Sequence, residues 1–177
     1  MDFNSYILNC GLRTRIEQLK ITINGQQNQT IGGELQTDIG VIYGLSSYTD
    51  GVAFDGSTLI TTAQAETLFL NIKKGKIFTV QNLKLSDLQN EFAGSPLIRT
   101  DKYTPMIIYR EDFDLSSSQI INPTLIPNGS AVIILNFWYI DVEDLQMLEA
   151  HGLIFNDKHP KSTSIYPYHK EAIKKHK

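Results

Sequence analysis

The stretch Asn128-Gly129-Ser130-Ala131-Val132-Ile133-Ile134-Leu135-Asn136-Phe137-Trp138-Tyr139-Ile140-Asp141 decides how the rest of the chain is read. It opens on an Asn-Gly turn signal and continues as the longest apolar run in the sequence. Val132, Ile133 and Ile134 are β-branched and Phe137, Trp138 and Tyr139 are aromatic, so extended backbone is favoured over helix. Apolar residues in consecutive positions imply that both faces of this strand are covered, which places it centrally in a sheet. Trp138 and Tyr139 are accordingly expected in the core.

Just beyond it, Asp141 is placed to N-cap a helix over about 142–151, with Glu143 and Asp144 in the first turn where the helix dipole favours them. Val142, Leu145 and Leu148 (or Met147) supply its buried stripe, and Gly152 ends it. Just before the anchor strand, Gln119-Ile120-Ile121 reads as a short strand closed by Asn122-Pro123. Residues 103–109 read as another, with Pro105 at its opening or on an edge.

Working outward to the N-terminal half, Leu19, Ile21 and Ile23 alternate with Lys20, Thr22 and Asn24, a half-buried strand that ends at the Asn24-Gly25 turn signal. Residues 26–33 form a polar, Gly-terminated loop. Ile39, Val41, Tyr43 and Leu45 alternate over 37–48 as a second strand. Asp50-Gly51 and Asp55-Gly56 are acidic turns around Val52-Ala53-Phe54, and residues 62–66 suit one helical turn. Residues 68–72 and 77–80 pair as a hairpin about the basic turn Lys73-Lys74-Gly75-Lys76. Ser86-Asp87-Leu88-Gln89 matches a capping box, with Gly94 as C′ residue, and predicts a short helix over about 87–92.

Seven or eight strands without βα alternation or repeats point to a mainly all-β chain. The expected fold is an antiparallel β-sandwich, of which the eight-stranded jelly roll is one form. The organisation read from the pattern is an N-terminal arm (1–15), a sandwich domain (16–155) and a basic C-terminal tail (156–177).

The chain has 177 residues and a formal net charge of −3. The tail carries 6 Lys/Arg against 2 Asp/Glu, leaving 10 of 16 Lys/Arg and 17 of 19 Asp/Glu on residues 1–155, a balance of −7. A basic arm on an acidic body seeks acidic surfaces: a neighbouring subunit, nucleic acid or anionic lipid headgroups. The subunit fits the acidic body best. No apolar run reaches the roughly 20 residues of a membrane span. The residues after Met1 lack a secretory pattern, and Cys10 has no intrachain partner, so folding in a reducing cytoplasm is expected.

Chemistry is thinly represented. There is no Gly-x-Ser-x-Gly elbow or phosphate loop, and the four histidines (His151, His159, His169 and His176) form no ligand pair. Glu111, Asp112 and Asp114 are the best metal candidates; a solvated acidic loop is the simpler reading. The same residues with Asp50 and Asp55 could act as paired glycosidase carboxylates, though nothing in the sequence makes them converge. No catalytic residue, metal or cofactor is therefore expected. Tyr48, Phe54, Tyr103, Tyr109, Tyr166 and Tyr168 are strand-end or loop aromatics suited to an interface or to stacking on sugar.

The segments Gly44-Leu45-Ser46-Ser47-Tyr48-Thr49-Asp50-Gly51, Asp55-Gly56-Ser57-Thr58-Leu59-Ile60-Thr61 and Ala65-Glu66-Thr67-Leu68-Phe69-Leu70, with the Lys/Gly turn that follows, carry a resemblance. In strand rhythm and loop texture, about residues 35–141 resemble the small jelly-roll capsid and vertex proteins of tailless icosahedral phages. The resemblance implies a virion structural subunit made in the host cytoplasm, most simply the pentameric vertex (penton) or a minor shell position. It implies copies of itself and other capsid proteins as partners, and contact with an internal membrane or nucleic acid through the tail. Arg13, Arg15, Tyr48, Tyr103, Tyr166, Tyr168, Lys170, Lys174 and Lys175 are the expected arm and interface residues. A carbohydrate- or receptor-binding sandwich is the alternative.

Overall fold

A computed structural model describes residues 15–88, 106–150 and 163–164. The described strands are β1 (Arg15–Thr22), β2 (Asn28–Thr30), β3 (Ile39–Tyr48), β4 (Phe69–Lys74), β5 (Ile77–Lys84), β6 (Met106–Tyr109), β7 (Gln119–Ile121), β8 (Val132–Asp141) and β9 (Thr163–Ser164). Helix α1 (Thr62–Ala65) lies between β3 and β4, and α2 (Val142–Ala150) follows β8 directly. The strands form two antiparallel sheets, ordered β1-β8-β3-β6-β9 and β2-β7-β4-β5. The fold is a mainly β, two-sheet sandwich with short helices, as the sequence led us to expect.

The pairing follows one rule. β1 pairs with β8, β2 with β7, β3 with β6 and β4 with β5, so the strand numbers in each pair sum to nine. Three further pairings complete the sheets: β3 with β8 and β4 with β7 join these ribbons side by side, and β6 with β9 adds an edge strand outside the rule.

The anchor strand is central. β8 runs between β1 and β3, and all ten of its residues are buried. Its odd-numbered residues Ile133, Leu135, Phe137 and Tyr139 enter the inter-sheet core with Ile21, Ile42, Leu45, Leu70, Ile72 and Ile120. Phe137 meets Phe113 edge to face at 5.9 Å between ring centroids, a geometry aromatic pairs favour. Its even-numbered residues face the other way. There Val132 and Ile134 pack under Leu59 and Ala53 of the β3–β4 connection, while Asn136 bonds Gln18 of β1 and Ser46 of β3. Trp138 is buried as expected, but on this outer face.

Several local expectations need correction. The strand expected from Glu17 begins at Arg15, which is therefore part of the first strand and not of an arm. The polar loop 26–33 contains β2, a three-residue strand whose single buried residue, Gln29, donates to the Thr22 carbonyl at 2.6 Å. β5 continues past Val80 to Lys84 because Asn82, at φ +55°, absorbs an irregularity in its pairing with β4; the Asn71 side chain accepts its N–H at 2.7 Å. In place of a helix opened by Ser86, residues Leu85–Leu88 make one 3-10 turn that buries both leucines. The rest of that expected helix, 89–92, lies outside the described residues. The capping box that does form is Thr61 with Gln64, each side chain bonding the other's backbone N–H at the start of α1. Asp141 caps α2 as expected, accepting from Asp144 N at 2.8 Å.

Candidate functional site

Two features of the sandwich present chemistry to the outside. The first is the β3–β4 connection, residues 49–61. Asp50, held at φ +56°, accepts hydrogen bonds from the Thr62 N–H and hydroxyl, which fixes the loop's exit to its entry. Backbone bonds Ala53 N–Ser57 O (2.8 Å), Gly56 N–Ala53 O (2.9 Å) and Leu59 N–Gly51 O (2.9 Å) fold it into a tight hairpin. Lys20 of β1 then reaches across, donating to Asp55 and to Ser57 Oγ (2.6 Å). These bonds hold the Asp50 and Asp55 carboxyls below the usual carboxylate range. One side of the loop, Leu59 and Ala53, faces the sheet. The other side leaves Phe54 fully exposed and Val52 67% exposed, beside the half-exposed Tyr48. The loop is thus held at both ends and carries an exposed phenylalanine at its tip.

The second feature is the acidic segment after β6. Arg110–Asp112 form a 3-10 turn. Arg110 donates through Nε to the Gln36 carbonyl (2.8 Å) and through Nη2 to that of Leu35 (2.9 Å), tying this segment to the β2–β3 connection. A cleft of about 270 Å³ opens between them, lined by Gly33, Glu34, Arg110, Glu111, Asp114 and Leu115 among others. The three metal candidates do not converge there. Asp112 turns inward and is almost fully buried, with Lys74 Nζ 3.1 Å away; burial pushes its carboxyl up in spite of that partner. Asp114 accepts from the Ser116 N–H and hydroxyl and from the Ser117 hydroxyl, which lowers its pKa and spends its oxygens on shaping the turn. Among the described residues no group of three or more His, Cys, Asp or Glu side chains is placed to hold a metal ion.

The Asp50–Asp55 loop and the acidic segment do not converge on one glycosidase site. Asp50 follows the C-terminal end of β3, whereas the acidic segment follows Tyr109, which pairs with Val41 near the other end of that strand. Seven residues of strand separate the two positions by roughly 20 Å, against the roughly 5–10 Å that paired carboxylates need.

A third cluster lies where β1 begins and β8 ends. Arg15 Nη1 is 3.3 Å from Asp38 and Nη2 is 2.9 Å from Asp141, while the Tyr139 hydroxyl donates to Asp38 at 3.2 Å. Glu17 lies two residues along β1. Burial and the charge of Asp38 raise its pKa, and its Oε2 is buried without a partner. This cluster was not read from the sequence: its members come from three separate segments, and no local pattern links them.

Of the expected interface residues, the structure places Arg15 in this cluster and Tyr48 beside the exposed loop. Arg13, Tyr103, Tyr166, Tyr168, Lys170, Lys174 and Lys175 lie outside the described residues, as does Cys10. Phe54, read as one of several loop or strand-end aromatics, proves the most exposed large hydrophobic side chain among the described residues. Comparison with protein-family models, with curated proteins and with solved structures returns no match.

Proposed function

We propose that this chain is a virion structural protein, a single jelly-roll subunit that assembles into the pentameric vertex or a minor position of an icosahedral shell. The observation that carries the jelly-roll reading is the pairing rule. A ribbon of eight strands folded back on itself and then rolled pairs first with eighth, second with seventh, third with sixth and fourth with fifth, as here. The pinned loop with Phe54 and Val52 exposed at its tip supports assembly, because such a surface is costly to leave in water and suits a packed contact. On this reading the partners are copies of the chain and other capsid proteins, and the basic tail contributes salt-sensitive contacts to acidic neighbours. The subunit works by packing; it performs no reaction.

Native mass by multi-angle light scattering, over a range of protein and salt concentrations, tests the proposal. A discrete ring, five-fold above all, is the expected result; a monomer at every concentration counts against it. Tyr48 ends β3 and Phe54 lies in the loop that follows, both exposed, and these aromatics favour a second reading, a glycan-binding sandwich. It predicts saturable glycan binding that Tyr48→Ala removes, and a blank result across a broad glycan panel would sink it.

A further inference from the structure

The sequence holds two Asn-Gly turns, Asn24-Gly25 and Asn128-Gly129, and the fold brings them together. A Cβ built on Gly25 would lie 3.1 Å from the backbone nitrogen of Asn128, so the β1–β2 and β7–β8 turns are in contact. Both glycines have positive φ, +78° and +70°. Both asparagines are exposed, but the hydrogen bonds around them differ. The Gly129 N–H donates to the Ile23 carbonyl at 2.8 Å. The Gly25 N–H donates to no described residue, and Asn24 is exposed. The Asn24 side chain folds over its own turn, with Oδ1 accepting from Gln26 N at 3.0 Å. That Asx-type closure holds the side-chain carbonyl carbon close to the next backbone amide.

We infer that Asn24 is a site of spontaneous deamidation, and that the fold protects the chemically equivalent Asn128. In the reaction the Gly25 amide nitrogen gives its proton to hydroxide and attacks Cγ of Asn24. A C–N bond forms, the C–Nδ2 bond breaks and ammonia leaves, giving a five-membered succinimide. Water then opens the ring. Cleavage at Cγ gives aspartate, and cleavage at the α-carbonyl gives isoaspartate, whose main chain runs through Cβ. No oxidant or reductant takes part. At Gly129 the same nitrogen is committed to the Ile23 carbonyl, so loss of its proton first requires breaking that bond. The modification adds one negative charge to the turn, and in its isoaspartyl form one methylene to the backbone, at a place where Gly25 already touches Asn128.

The test is peptide mapping of the full chain by mass spectrometry, with isoaspartate detection, after incubation at mildly alkaline pH. A parallel sample is kept in urea. In the folded protein, amide-to-acid conversion should accumulate several-fold faster at Asn24 than at Asn128 and should accelerate with pH. In urea the two rates should converge. Equal rates in the folded protein, or no conversion at Asn24, would overturn the inference. A preference for Asn24 that persists undiminished in urea would overturn it too, since the selectivity would then belong to the local sequence.

Discussion

Arg15, the first residue of β1, places Nη2 2.9 Å from Oδ2 of Asp141, the last residue of β8, while its Nη1 reaches Asp38. One planar guanidinium thus bridges two carboxylates, and Asp141 uses its other oxygen to cap α2. A lysine ammonium is a point charge and cannot span both acids in one geometry. Arg15→Lys should therefore lower the melting temperature although charge is kept, and Arg15→Ala should lower it further. Thermal unfolding at two salt concentrations checks this, and a Lys variant that melts with the wild type would refute a bridging role.

Glu17 is expected to weaken the fold at neutral pH. Burial and the neighbouring Asp38 raise its carboxyl pKa, so the folded chain disfavours the charged form. For an acid raised on folding, the cost is absent below the unfolded value, near pH 4.3, and grows as pH rises through the folded one. Glu17→Gln should therefore stabilise the protein at pH 7, with the gain vanishing under acid conditions. A gain that is the same at both pH values would mean that packing, not charge, is responsible.

Gly40 sits where the register of β3 against β8 shifts between Ile39 and Val41. A Cβ there would stand 2.9 Å from the Asp141 carbonyl oxygen and 3.0 Å from that of Ile140, both fixed backbone atoms in the sheet. Gly40→Ala should cost about 1–3 kcal/mol, the usual range for overpacking a filled site. Urea unfolding measures it directly.

Phe54 touches solvent only, so Phe54→Ser should leave the melting temperature unchanged within a degree or so, as remote surface substitutions do. If the exposed loop anchors subunit contacts, the same substitution should shift the light-scattering mass toward monomer. An unaltered ring would remove this loop from the proposed interface.

What could be read in the sequence followed from how each segment is buried. β8 was legible because both of its faces are covered, so its apolar residues run without a break. β1 was legible because its burial alternates along the strand. β3 was legible because large apolar residues are interrupted by Gly40, Gly44 and Ser46, although both of its faces are covered. β2 was not, since Asn28, Gln29 and Thr30 look like loop: only Gln29 is buried, and it is held there by hydrogen bonds. The end of β5 was hidden by Asn82, whose left-handed backbone breaks the two-residue period. Ser86 and Gln89 had the residue types of a capping box, but burial of Leu85 and Leu88 in the sandwich produced a 3-10 turn there instead. The candidate site was less legible still. Phe54 was visible as a loop aromatic, yet its exposure depends on which side of the loop Leu59 and Ala53 turn toward the sheet. Asp112 looked like one of several solvated acids until Lys74 and the turn around it drew it inside.

The nine-sum pairing also sets an order of events in time. Gln18 of β1 and Asn136 of β8 touch across 118 residues of chain, and the strand that completes the middle of its sheet is synthesised after β1, β3 and β6. Until β8 emerges, β1 and β3 have no strand between them, and each shows its hydrogen-bonding edge to every other nascent copy nearby. Contacts of such sequence separation form slowly, on the scale of milliseconds to seconds. Expression of chains truncated before Val132 should therefore yield aggregates, whatever the finished protein assembles into.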